Sequence, residues 1–393
     1  MRTLGCLLVP VTATLGACLT APTGVPEGGA WPPPATAVLA VAAGPVDGDA
    51  IDDLLVVDAT SRTVYLLAGG VDVDPTRAEV TTYSRHATLA DLQAPARVLP
   101  VTTDGGRFVV VLDNASGGPW LTVLDGDLVQ VSRTKIPGGR PVPAAGVVTL
   151  ARAGFGPPTS GSVFGSLPDQ AFFVEDADLA VASPVIKAVP GAAALTSVRA
   201  VGGYRRDPTP RVFVSELDRL QRADAGMGSF TWTVVRPVGS AWTAQAVTDL
   251  DGNANPEVVG YQKDAGAAAN LCVFDVDQAT SACAATQIMA SMTTLAVGGI
   301  VTAGQHDVAV LDPIGPQGDP ALFLVTGLTW DGTTAAIGGG TMPALLTVTE
   351  PRLTLAELDG GGGVEMLVVG ADGAVACLRP GANPAAAPVG CAR

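Results

Sequence analysis

A short unit of two strands joined by a polar turn constrains the fold of this chain more than any other feature. Its clearest copy is residues 246–260, AVTDLDGNANPEVVG, in which apolar residues flank a cluster of Asp, Gly and Asn. Such clusters favour tight turns, and Val-rich runs favour strands. The unit therefore predicts a β-hairpin, and a chain that repeats it is expected to consist of antiparallel sheets.

The unit recurs along the chain. Residues 39–57 contain an Asp-Gly-Asp turn before DLLVV, and residues 355–369 contain Glu-Leu-Asp-Gly before EMLVV. Each clear copy is followed by a polar turn and another strand. Degenerate copies occupy residues 98–112, 147–174, 197–215 and 295–311, and the turn of the second of these is predicted to be lengthened by residues 154–169.

Three clear and four degenerate copies make seven repeats. Their spacing of about 40 to 60 residues is typical of four-stranded propeller blades. A closed ring of blades also removes free sheet edges. The sequence therefore predicts an all-β fold, a seven-bladed β-propeller with four-stranded antiparallel blades, over residues 35–393.

The composition agrees with this fold and excludes several classes of function. The 48 glycines and 31 prolines suit a turn-rich chain. The net charge of −15, from 22 basic and 37 acidic residues, repels phosphate backbones, so nucleic-acid binding is not expected. The two histidines lack an HExxH-like partner, and the chain has no phosphate-binding loop or nucleophile elbow. No catalytic signature is present, and the sequence is not expected to encode an enzyme.

The N-terminus predicts export. Arg2 precedes an apolar segment, residues 4–15, and LGAC follows at residues 15–18. This tetrapeptide resembles the bacterial lipobox, whose cysteine is lipidated after cleavage; the alternative is an ordinary signal peptide cut near Ala17.

The resemblance to a lipobox implies three segments. Residues 1–17 would be a lipoprotein signal peptide, and residues 18–34 a lipidated Cys18 with a proline-rich tether, before the propeller begins at residue 35. Leu19, rather than Asp, follows the cysteine, so we expect a lipid anchor in the outer membrane of a Gram-negative bacterium. The lipid would be the only contact with the membrane.

Four cysteines remain once Cys6 and Cys18 are assigned to the signal and the lipid. Export into an oxidising compartment favours disulfides, and three pairings are possible. The spacing favours local pairs, because each pair would close a short hairpin. A metal site is the weaker interpretation, since no CxxC spacing is present. The favoured pairs are Cys272 with Cys283 and Cys377 with Cys391.

The repeats resemble those of the FG-GAP/VCBS family, the integrin-α-like propellers. The hallmark of that family is a turn of the form Asp-x-Asp/Asn-x-Asp/Asn-Gly-x-x-Asp/Glu before an apolar strand. Residues 249–257 match it, with Ala254 in place of the glycine. The resemblance covers nearly the whole mature chain, and it implies calcium held in the turn as a structural ion.

Calcium chemistry supports this interpretation. The ion takes six to eight oxygen ligands at about 2.3–2.6 Å, which carboxylates and amides at alternate positions of a tight turn can supply together with a backbone carbonyl. The alternative is an Asx-rich turn without metal. All ligands would come from the turn itself, so the ion would stabilise the fold and take no part in catalysis. The predicted ligands are Asp249, Asp251, Asn253, Asn255 and Glu257.

Two other turns carry part of the pattern. In the first, Pro45 stands where the first carboxylate is expected; in the last, Gly361 replaces the middle ligand. The candidate ligands in these turns are Asp47, Asp49 and Asp53, and Glu357, Asp359 and Glu365. In the fourth repeat, Arg205, Arg206 and Arg211 occupy the corresponding region, and we expect a guanidinium to make the hydrogen bonds of that turn in place of a cation.

The sequence favours a monomeric, adhesion-like binding or scaffold module, displayed from the envelope for an unidentified protein or glycan. The alternative is a polysaccharide lyase or hydrolase on the same fold, and a third possibility is a structural envelope protein without a specific ligand. The central funnel of the ring distinguishes the first two. Small apolar residues there would favour binding, whereas clustered Asp, Arg, Tyr and His would favour an enzyme.

Overall fold

The structure is a computed structural model. It describes residues 28–76, 79–115, 117–143, 147–154, 161–190, 198, 200–206, 209–216, 219–225, 230–236, 244–253, 255–262, 270–286, 294–302, 304–314, 318–340, 343–360, 363–380 and 389–391. Within these residues the fold is all-β, and its one helix is the single turn Asp176–Leu179. The predicted signal peptide and Cys18 lie outside the described residues.

Seven antiparallel sheets form the blades of a β-propeller, as the repeats predict. We label the strands of each blade A to D from the centre of the ring outwards. Blade 1 contains Val38–Gly44, Asp53–Asp58, Thr63–Leu67 and Arg85–Thr88; blade 2 contains Arg97–Thr103, Gly106–Asp113, Trp120–Asp125 and Gln130–Lys135; blade 3 contains Thr149–Gly154, Gly161–Leu167, Gln170–Glu175 and Lys187–Pro190.

The remaining four blades follow the same order. Blade 4 contains Ala200–Arg206, Thr209–Ser215, Leu220–Ala225 and Phe230–Arg236; blade 5 contains Ala244–Thr248, Glu257–Tyr261, Leu271–Asp275 and Thr280–Ala284. Blade 6 contains Thr294–Gly298, His306–Asp312 and Ala321–Trp330, with the short pieces Ala335–Ala336, Gly339–Gly340 and Ala344–Leu345 in the outer position. Blade 7 contains Arg352–Ala356, Glu365–Val369, Val375–Arg379 and Val389–Gly390.

The core lies between neighbouring blades and follows the two-residue period of the strands. In strand B of blade 1, Leu55 and Val57 pack toward blade 2, and Leu54 and Val56 pack toward blade 7. All four side chains are fully buried. Burial of each aliphatic side chain contributes about 1.5–3 kcal/mol. Strand B is apolar on both faces because both faces of each blade are covered.

The ring closes between blades 7 and 1, and each of these blades keeps its own four strands. The inner strands Arg352–Ala356 and Val38–Gly44 lie side by side at this junction. Backbone bonds cross it: the N–H of Val38 donates to the carbonyl of Ala371 at 2.9 Å, and the N–H of Asp52 to that of Glu357 at 2.8 Å.

The described N-terminal residues lie against the same junction. Strand Gly29–Ala30 pairs with Thr82–Tyr83 at the outer side of blade 1. Trp31 is 5% exposed and contacts the ring of Tyr65, with centroids 5.4 Å apart. The part of the predicted tether that the structure describes, residues 28–34, is therefore associated with the ring. The segment boundaries themselves stay a prediction.

Blade 3 differs from the expected repeat. The segment predicted as a long turn, residues 154–169, contains strand B, Gly161–Leu167. The apolar run ending at Val174 is strand C, Gln170–Glu175, and pairs with that strand. Strand B escapes detection because Gly165 interrupts its apolar pattern. A Cβ at this position would overlap the ring of Phe172, so glycine is required by packing.

The two local disulfides are present as predicted. Cys272 and Cys283 are direct partners across strands C and D of blade 5. Cys377, in strand C of blade 7, is bonded to Cys391, which follows strand D. Both bonds connect the outer strands of their blades, and the second fastens the C-terminal strand of the ring.

Candidate metal centre

The turn between strands A and B of blade 5 is closed by its own polar side chains. Asp249 Oδ1 accepts the N–H of Gly252 at 2.8 Å, Asp251 Oδ1 that of Asn253 at 3.1 Å, and Asn253 Oδ1 that of Asn255 at 2.7 Å. Gly252 has a φ of +74°, in the left-handed region that glycine adopts without a steric penalty. The Asp/Gly/Asn composition therefore determines the local turn directly.

Three carboxylates converge at this turn. One oxygen each from Asp249, Asp251 and Glu257 lies within 4.8 Å of the others. Asp249 is half-buried, Asp251 is exposed and Glu257 is fully buried. Two oxygens that share an ion at 2.3–2.6 Å are separated by no more than about 5 Å. The spacing therefore fits a single hard cation such as calcium.

Glu257 is the central feature of the cluster. Its Oε2 accepts the N–H of Leu250 at 2.7 Å, whereas its buried Oε1 has no hydrogen-bond partner among the described residues. Burial raises the pKa of Glu257 to about 8; the Leu250 N–H acts in the opposite direction, and the charges of Asp251, Asp275 and Asp249 raise the pKa further. A buried carboxylate oxygen without a donor requires a proton or a cation.

The two predicted asparagine ligands take part in the hydrogen bonds of the turn. Asn253 is exposed, and its Nδ2 donates to Asp251 Oδ2 at 2.9 Å while its Oδ1 accepts the backbone of Asn255. Asn255 is half-buried. Of the five predicted ligands, the structure thus brings the three carboxylates together, and Asn253 and the backbone N–H of Asn255 take part in the hydrogen bonds of the turn.

The turn of blade 1 has an acid at the corresponding position, Asp53, but in a different environment. Asp53 is fully buried; its Oδ2 accepts the N–H groups of Val46 and Asp47, both at 2.9 Å, and its Oδ1 accepts that of Gly69 at 3.1 Å. Burial raises the pKa of Asp53 to about 6, although these three donors lower it. Asp49 is exposed and accepts the N–H of Ile51. Backbone donors thus satisfy both oxygens of the buried acid.

In blade 7 an arginine side chain contacts the acids that were predicted to bind a metal ion. Glu365 is 4% exposed; its Oε2 accepts the N–H of Leu358 at 3.0 Å, and its Oε1 accepts Arg379 Nε at 2.8 Å. Arg379 Nη2 also donates to Asp359 Oδ2 at 2.7 Å. Glu357 lies at the junction with blade 1, where its N–H donates to Asp52 Oδ2. Arg379 was missed in the sequence because it lies in strand C, 20 positions after Asp359.

A fourth buried acid was also missed. Asp307, near the start of strand B in blade 6, is fully buried and accepts the N–H groups of Val301 at 2.7 Å and Gly327 at 2.8 Å. The sequence feature that could have revealed Asp307 is an acid directly before an apolar strand, as in DVAVL. Blades 1, 5, 6 and 7 therefore share a buried acid that receives a backbone N–H from the preceding turn. Only in blade 5, among these four, does this acid have an oxygen without a partner.

The expectation for Arg211 in the fourth repeat was wrong. Arg211 lies inside strand B, and its guanidinium contacts Asp277 at 2.9 Å, Asp224 at 3.0 Å and the hydroxyl of Tyr204 at 3.4 Å. It therefore joins blade 4 to blade 5 through side chains rather than satisfying the backbone of a turn. The side chains of Arg205 and Arg206 lie outside the described part of the structure.

Comparison with models of protein families gives no match for this chain, and comparison with curated proteins gives none either. Among the described residues, no helix is both long and apolar enough to cross a membrane.

Proposed function

We propose that this chain is an envelope-anchored β-propeller of the FG-GAP/VCBS type, stabilised by calcium in blade 5, that acts as a binding or scaffold module for protein or glycan. Asp249, Asp251 and Glu257 would hold the ion. The ion would neutralise three converging carboxylates and connect the inner strand of the blade to the next strand.

One observation carries the calcium proposal: the buried Oε1 of Glu257 has no hydrogen-bond partner among the described residues and lies beside two further carboxylates. The corresponding acids of blades 1 and 6 are satisfied by backbone donors, and that of blade 7 by Arg379. In these three blades the chain itself thus supplies a hydrogen-bond donor to the second oxygen of the buried carboxylate. A cation is the counterpart that fits the acidic turn of blade 5.

Two sequence features support the anchor. The LGAC segment that ends at Cys18 resembles a lipobox, and the four remaining cysteines form two disulfides, which are typical of exported proteins. Mass spectrometry of the membrane fraction should find a diacylated Cys18 at the mature N-terminus. A Cys18→Ser variant that stays in the membrane fraction would contradict the anchor.

The calcium proposal is tested by thermal unfolding of the purified protein with calcium and with a chelator. Calcium is expected to raise the melting temperature, and Asp251→Asn should abolish that rise. Asp372→Asn is the matched control, because both exposed aspartates accept a backbone N–H two residues ahead and Asp372 is not a candidate ligand. An equal response of the two variants, or no calcium response in the unaltered protein, would refute the proposal.

A further inference from the structure

The two disulfides of the ring differ in how far their cysteines are exposed. Cys283 lies on strand D, the outermost strand of blade 5, and is exposed, whereas its partner Cys272 on strand C is 1% exposed. In blade 7, Cys391 is 7% exposed and Cys377 is half-buried. A thiolate exchanges with a disulfide only where it can reach one of the sulfurs. Of the two bonds, Cys272–Cys283 is therefore the more accessible to a thiol from solvent.

The strand B position beside this bond has no side chain. Gly260 is the register partner of Cys272, which is in turn the register partner of Cys283. Residues directly opposite each other in antiparallel strands point to the same face of the sheet, so strand B places no side chain beside Cys272. In blade 7 the corresponding position beside Cys377 is occupied by the fully buried Leu367. The side chains of the neighbouring strand thus cover the second disulfide more than the first.

Strand D of blade 5 has other interactions that hold it in place. Every residue of Thr280–Ala284 is paired in register with strand C, and Thr280 Oγ1 donates to the carbonyl of Gly332 in blade 6 at 3.0 Å. Within the described residues, strand D of blade 7 is only Val389–Gly390, so the Cys377–Cys391 bond is a larger part of its attachment. Opening of the bond in blade 5 is therefore compatible with a folded ring.

We propose that Cys283 is a thiol-exchange site, at which a small thiol such as glutathione forms a reversible mixed disulfide. The thiolate sulfur attacks Sγ of Cys283, the bond between the two Sγ atoms breaks, and Cys272 leaves with the electron pair and takes up a proton. One thiol and one disulfide become another thiol and another disulfide, so the small thiol is the only co-reactant. Attack by Cys272 on the mixed disulfide reverses the step. This inference is independent of the calcium site and of the lipid anchor.

The test is incubation of the purified protein with reduced glutathione, followed by alkylation of free thiols and peptide mass spectrometry. Glutathione is expected on Cys283 and the alkyl group on Cys272, at a rate at least about tenfold above that of any opening of Cys377–Cys391, the internal control. Glutathione on Cys272 instead, equal rates for the two bonds, or no adduct would overturn the proposal. Circular dichroism follows the same samples, and loss of the β-sheet signal before the adduct forms would also overturn it.

Variants at Ser281 test whether the attack takes place at the surface of strand D. Ser281 is exposed and lies two positions before Cys283, so both side chains point to the same face of the blade. The glutathione thiolate is negatively charged, so Ser281→Lys should speed adduct formation and Ser281→Glu should slow it, each by about two- to fivefold.

The matched controls are Thr102→Lys and Thr102→Glu, which make the same changes in net charge at an exposed position of blade 2. They should leave the rate nearly unchanged, because salt screens charges that are more than about 10 Å apart. Equal effects at the two positions would show a general charge effect and refute the site. An unchanged rate in both Ser281 variants would place the attack elsewhere and refute it as well.

Discussion

The indole Nε1 of Trp31 donates a hydrogen bond to the carbonyl oxygen of Gly373 at 2.9 Å, across 342 positions of sequence. The bond joins the segment before the first blade to the turn between strands B and C of the last blade. The N–H of Trp31 also donates to the carbonyl of Thr81 at 2.8 Å, so the same residue contacts both sides of the ring closure.

Trp31 is expected to contribute strongly to the stability of that closure. Trp31→Ala should lower the free energy of unfolding by about 3–5 kcal/mol, because it removes a buried aromatic side chain and leaves a cavity. Trp31→Phe keeps most of the packing and removes the bond to Gly373, so the loss should be about 1 kcal/mol. Urea unfolding measures both values. A Trp31→Ala loss below that of Trp31→Phe would show that the segment does not support the ring.

Arg379 is expected to act as an internal cation in blade 7. Arg379→Met leaves Glu365 buried beside Asp359 without a counter-charge, so we expect a loss of about 1–3 kcal/mol in the free energy of unfolding. Calcium should restore part of this loss, since the vacated turn would then resemble that of blade 5. The measurement is unfolding with calcium and with chelator, with Arg140→Met as an exposed control. A variant whose stability does not respond to calcium beyond the response of the parent would contradict this prediction.

Asp113 is expected to make stability depend on pH. Burial raises the pKa of Asp113 to about 6; Arg133 and the N–H of Ala115 lower it, and Asp91 raises it further. The folded protein therefore binds more protons than the unfolded chain between about pH 4 and pH 6, and the contribution of Asp113 to stability falls as pH rises across that window.

Asp113→Asn should remove this pH-dependent contribution and raise the free energy of unfolding at pH 7 by about 1–3 kcal/mol. The comparison is unfolding at several pH values, with the exposed Asp104→Asn as control. An unchanged pH profile in Asp113→Asn would show that the buried carboxyl titrates normally.

Gly165 is expected to tolerate no side chain unless Phe172 is replaced by a smaller residue. Gly165→Ala would force the alanine methyl into the Phe172 ring, and overpacking of this kind costs about 1–3 kcal/mol. Adding Phe172→Leu should recover part of the loss in a double-mutant cycle. Strictly additive losses would mean that the two residues do not interact.

The sequence by itself determined the features that depend on local chemistry. The Asp/Gly/Asn turns, the apolar strands after them, the number of repeats and the two hairpin disulfides all arise between residues close in the chain, where composition and spacing are sufficient information. The turn of residues 249–257 was located for the same reason, because its carboxylates lie at alternate positions of one loop.

Only the tertiary structure decided at which turns the chain supplies donors to both oxygens of the buried carboxylate. Arg379 reaches its turn from another strand, and Gly69 and Gly327 donate from the far end of their hairpins. Among the residues that the structure describes, no donor reaches Oε1 of Glu257. The ring closure at Trp31 and the lining of the cavity between the inner strands of blades 2 to 5 likewise bring together residues that are far apart in the sequence. Whether a buried acid has a hydrogen-bond donor or a counter-charge depends on distances in three dimensions, and these distances do not follow from separation along the sequence.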